Sequence, residues 1–98
     1  MNETDYNKLG HKIQRQTLCQ FLEHLKSIVD RDPTIPIKEM EDYKCIGGYI
    51  ERKNMSPEIY KPEIKKFCEL FLNKHSSTKK PCYLEAATLL YKDFLENN

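Results

Sequence analysis

The 98-residue sequence has no tryptophan, only three glycines and no long apolar run. A helix that crosses a bilayer needs about 20 consecutive apolar residues, so none is expected. The N-terminal Met1-Asn2-Glu3-Thr4-Asp5-Tyr6 lacks both the basic leader and the apolar stretch of a secretory signal. The expected location is therefore intracellular, nuclear or cytoplasmic. An excess of one charge is missing too. Sixteen Lys and Arg face fifteen Asp and Glu, a net charge of +1, so no overall field draws the chain to nucleic acid or to an anionic membrane. No period-two alternation of strand length occurs, which leaves helices as the only regular structure. What remains is a chain that is 39% hydrophobic and 32% charged. That is apolar enough to fold around one core and too short for two, giving a single domain over residues 1–98.

The apolar spacing predicts an all-α compact bundle of four to five helices. Leu9, Ile13, Leu18, Phe21, Leu22, Leu25, Ile28 and Val29 recur at spacings near three and four and form the buried stripe of a first, longest helix. Arg31-Asp32-Pro33 ends it, because proline cannot continue the hydrogen-bond ladder. Pro36 sits where a second helix can begin, with Ile37, Met40, Tyr43 and Ile46 on its inner side; at Gly47-Gly48 either that helix breaks or a neighbour needs close backbone approach. Ser56-Pro57-Glu58 is a strong start signal. Pro62, five residues on, predicts a short turn at 57–60 before the main helix from Pro62 to about Lys74, whose buried face holds Ile64, Phe67, Cys68, Phe71 and Leu72. After a polar link, Pro81 opens a last helix to about Glu96, with Tyr83, Leu84, Ala87, Leu90, Tyr91, Phe94 and Leu95 on its stripe.

Catalytic and metal patterns fail on spacing. Four cysteines (19, 45, 68 and 82) and three histidines are suitable zinc ligands, but no C-x-x-C or H-x-x-x-H pair exists. The nearest combinations, Cys19 with His24 and Cys68 with His75, lie five and seven residues apart. The cysteines read as reduced, with Cys19, Cys68 and Cys82 serving as small buried apolar residues. No histidine stands in a local signature that would activate a thiol, and Gly47-Gly48 lacks the spaced glycines and lysine of a phosphate loop. The reading is a non-enzymatic chain with no cofactor and no metal.

Two features point to binding instead. Residues 61–80 carry Lys61, Lys65, Lys66, Lys74, Lys79 and Lys80 against Glu63 and Glu69, a local charge of +4. Such a segment suits phosphates or an acidic partner, although no arginine is present for bidentate recognition. Tyr49 and Tyr60 fall in chain expected to be irregular, and exposed aromatic residues are favoured in binding sites. The candidate partner-binding residues are Tyr49, Tyr60, Lys61, Lys65, Lys66, Lys79 and Lys80. A protein partner is the leading expectation, and nucleic acid the alternative through the lysines.

Between Leu18 and His75 the order of signals resembles the helical N-terminal docking domain of transcription elongation factor S and its relatives in elongin A and Mediator subunits. Leu22-Glu23-His24-Leu25, Thr34-Ile35-Pro36-Ile37, Ile46-Gly47, Ile50 with Arg52-Lys53, and Ile64 to His75 stand in the places of that family's successive signals. The resemblance implies a non-enzymatic module that binds short, partly disordered segments of transcription proteins. Phe67 and Cys68, followed by Leu90-Tyr91-Lys92-Asp93-Phe94, are similar to an L-Y-x-x-F helix in the C-terminal domain of viral and phage primase-helicases. That second resemblance implies a DNA-binding accessory domain of replication.

Overall fold

A computed structural model describes residues 3–96, with side chains from Lys8 onward. Among these residues the regular structure is helical. Helix α1 spans Glu3–Arg31 and α2 Glu41–Arg52, joined through a 3-10 turn at Ile37–Glu39. Helix α3 spans Pro57–Thr78 and α4 Pro81–Leu90, and the chain continues as a π-type turn at Tyr91–Leu95. No described helix is long and apolar enough to cross a membrane.

Helix boundaries follow from local chemistry. Asp32 closes α1 by accepting hydrogen bonds from the Thr34 amide at 3.1 Å and hydroxyl at 2.7 Å, an Asx-type turn around Pro33. Helix α2 ends in a Schellman motif. Asn54, at φ 49°, occupies the left-handed position, while the Met55 amide reaches the Ile50 carbonyl and the Asn54 amide that of Glu51. Helix α3 ends similarly on Lys79 at φ 61°, with the Thr78 hydroxyl donating to the Lys74 carbonyl. Lys79 and Lys80 alone separate it from α4, so α4 folds back antiparallel along α3.

Of the two readings of Gly47-Gly48 the helix break does not occur, and neither does the break expected before Pro62. Gly47 and Gly48 lie inside α2 at negative φ, because Ile46 and Tyr49 on either side are both buried and hold the helix through them. Pro62 lies inside α3 and costs one backbone donor on an exposed side, where water can serve the freed carbonyl, while Ile59 and Ile64 are buried beside it.

Leu18, Leu22, Leu25 and Val29 of α1 meet Tyr43, Ile46, Ile64, Phe67, Phe71 and Leu90 in one continuous core. Phe71 stacks on Tyr83 with ring centroids 6.3 Å apart. Polar ties close the bundle. Asp30 accepts hydrogen bonds from Lys74, at 2.9 Å to each oxygen, and from the Tyr83 hydroxyl at 2.6 Å, joining α1, α3 and α4. The Tyr43 hydroxyl donates to Asp93 and to the Leu89 carbonyl, fastening the π-type turn to α2. Phe94 then packs over Gly47. The early turns of α1 depart from the predicted stripe: Leu9 and Ile13 are exposed, and the core begins at Leu18.

Candidate docking groove

The C-terminal apolar stripe is too wide for one buried face. With 100° per residue, Cys82, Tyr83, Ala86 and Leu90 turn toward the core, while Leu84, Tyr91 and Leu95 fall along its edge. The core covers the first group and leaves the second partly or wholly outside. Tyr91, expected to be buried, is 54% exposed. Its ring stands between two hollows that share Cys68. The larger, about 740 Å³, lies between the start of α3 and the π-type turn and is lined by Pro57, Glu58, Lys61, Pro62, Lys65, Cys68, Glu69, Tyr91 and Leu95. The smaller, about 350 Å³, is lined by Cys68, Leu72, Ala87, Thr88, Tyr91, Lys92 and Glu96. Together they form an apolar groove with charges of both signs on its rim.

Helical rotation and backbone chemistry set these side chains in place. Pro57 and Pro62 present short rings on the outer side of the first turns of α3. Leu72, predicted to be buried, lies on the outer side of α3 and is 45% exposed. Cys68 forms the floor, and its thiol donates to the Ala87 carbonyl at 3.6 Å. Burial, with a smaller contribution from Glu69, pushes its pKa up to about 11, so the thiol stays protonated near pH 7. Cys19 shifts the same way through burial and the nearby Glu63 and Glu23. All four cysteines are free, and no three His, Cys, Asp or Glu side chains among the described residues gather as a metal site.

The residues singled out from sequence do not share one surface. Tyr49 is not in irregular chain but inside α2, 6% exposed, with its ring 5.3 Å from that of Phe21 and Arg52 above it. Tyr60 lies in α3, partly buried against the core. Lys61 and Lys65 do reach the groove rim. Lys66 pairs with Glu63 at 3.2 Å, and Lys74 is held by Asp30. Lys79 and Lys80 sit at the turn into α4, about 27 Å along the helix axis from Lys61. The six lysines are therefore spread along α3 and around it.

Sequence reasoning missed Tyr91, Leu72 and the two prolines as surface residues, and Leu95 as only partly buried. The signal that could have found them was the breadth of the last stripe, since one helix face cannot bury the whole of it. No protein-family model matches this sequence, and neither the curated proteins nor the solved structures yield a significant match.

Proposed function

We propose that this chain is a non-enzymatic docking module whose groove around Tyr91 takes a short apolar segment of another protein. The observation that carries this reading is an aromatic ring more than half exposed beside a continuous apolar channel. Partly exposed aromatic rings set in apolar pockets make strong anchors, because they bury a large area at low entropic cost. The rim carries Lys61, Lys65 and Lys92 against Glu58, Glu69 and Glu96. That mixture suits orienting a peptide better than holding a polyanion. The resemblance to the elongation factor S docking domain supports segments of transcription proteins as the partner class.

Selection of displayed peptides against the full chain tests this. The expected result is a family of peptides sharing two or more apolar residues, whose affinity falls at least about tenfold for Tyr91→Ser and changes little with salt. Peptides that bind Tyr91→Ser equally well, or no enrichment at all, would reject the groove. Binding to nucleic acid that collapses as salt rises would move the chain to the alternative class.

A further inference from the structure

Helix α1 is longer than the body it packs on. Its 29 residues extend about 43 Å, and the molecule measures 49 × 25 × 24 Å. From Lys8 to Thr17 no side chain is buried. This arm is nevertheless amphipathic. Leu9 and Ile13, one turn apart, are 44% and 52% exposed, and the helical rotation places them on the side of α1 opposite Leu18, Leu22, Leu25 and Val29. They are therefore a second stripe and no continuation of the core. None of these residues lines the groove around Tyr91.

Among the described side chains, the charges beside that stripe are all of one sign. Lys8, Lys12 and Arg15 are exposed, and the chain carries no Asp or Glu from Lys8 to Leu22. Spacings of four and three place the three cations within about 60° of arc, along one flank of Leu9 and Ile13. The ion pairs of the described residues involve none of the three. Like charges at i and i+4 weaken a helix slightly. Gly10 weakens it further, and a Cβ added there would meet nothing within 4 Å. Among the described side chains, the arm thus has two apolar residues and three cations without complement.

We infer that this arm pairs with an acidic amphipathic helix of a partner protein. Two apolar residues one turn apart on that helix would cover Leu9 and Ile13, and carboxylates on its flank would face Lys8, Lys12 and Arg15. Charge selects this occupant over a second copy of the arm, whose own cations would add repulsion in place of attraction. The apolar pair selects it over a nucleic acid, which would satisfy the cations and leave Leu9 and Ile13 uncovered.

Helix-forming peptides displayed for selection against the full chain carrying Tyr91→Ser, which disables the groove, test the arm separately. The expected winners carry two apolar residues four apart with Glu or Asp on one flank. Their affinity should fall about tenfold for Lys12→Glu and again for Ile13→Ser, and should weaken as salt rises. Thermal unfolding of both variants should match the parent, since neither residue touches the core. Absence of enrichment, winners without acidic residues, or affinity indifferent to Lys12→Glu would each overturn the proposal. So would single-stranded DNA binding that needs Lys12 but not Ile13, or a dimer in sedimentation velocity that Ile13→Ser dissociates.

Discussion

Asp30 and Tyr83 show how single residues join three helices and make stability depend on pH. The hydrogen bond to Asp30, and then burial, push the Tyr83 pKa up to about 12, whereas an unfolded tyrosine titrates near about 10. Between those values the folded chain keeps a proton that the unfolded chain has released. The contribution of Tyr83 is therefore complete below that window and falls as pH rises through it. Asp30 works in the opposite sense. Burial opposes its charge, but the hydrogen bonds from Lys74 and Tyr83 outweigh that and hold its pKa below the ordinary carboxylate value. Its contribution is present above about pH 3.9 and is lost as pH falls through the lower, folded value. Tyr83→Phe is expected to cost about 1–2 kcal/mol near neutral pH, the loss of one partly exposed bond to a charged group. It should also make the decline between about pH 10 and 12 shallower. Thermal unfolding followed by circular dichroism across pH measures both effects. A residual alkaline slope is expected from Tyr43, whose pKa is raised by burial and by its bond to Asp93. A slope identical to that of the parent chain would remove Tyr83 from the account.

At the scale of elements, α2 carries two glycines in its interior without a backbone conformation that demands either one. A Cβ at Gly47 would touch the Phe94 ring at 3.7 Å, an ordinary contact, and one at Gly48 would meet nothing within 4 Å. Gly48→Ala should thus stabilise the chain by about 0.5–1 kcal/mol through lower backbone entropy in the unfolded state. A higher urea midpoint at unchanged slope is the expected reading, and a lower midpoint would mean that some contact needs the bare backbone. The same helix explains where sequence reasoning stopped. The number and class of the elements, the start signal at Ser56-Pro57 and most of the core from Leu18 onward were legible, because each rests on apolar spacing or on local chemistry, although the main helix was expected to begin only at Pro62. The persistence of α3 through Pro62 was not legible, and at Gly47-Gly48 the sequence left a break and a close approach equally open. Those helices are held by burial of Ile46, Tyr49, Ile59 and Ile64, a tertiary effect that outweighs a local cost of a few kcal/mol at most. The groove was hidden for a related reason. Periodicity tells which residues share a face, but only packing decides which edge of an over-wide stripe is left outside, and here that edge holds Tyr91.

On the scale of the whole molecule, the surfaces that hold the bundle together and the surface proposed for docking are separate, and substitutions should reveal the separation. Phe71 is fully buried at the centre of the core. Truncation to alanine removes its contacts and leaves a cavity, at a cost of about 3–5 kcal/mol. That is a large share of the roughly 5–15 kcal/mol by which a domain is stable. Tyr91 is an aromatic residue of similar size, but more than half of it lies in solvent. Tyr91→Ser should therefore shift stability by no more than about 0.5 kcal/mol, as surface substitutions usually do, while removing the anchor for a docked segment. Urea unfolding of Phe71→Ala and Tyr91→Ser beside the parent chain, with peptide affinity measured on the same samples, separates the two roles. Loss of affinity without loss of stability at Tyr91 is the outcome the groove requires. A Tyr91→Ser chain that unfolds as readily as Phe71→Ala would assign the ring to the core and leave no free anchor on this face of the bundle.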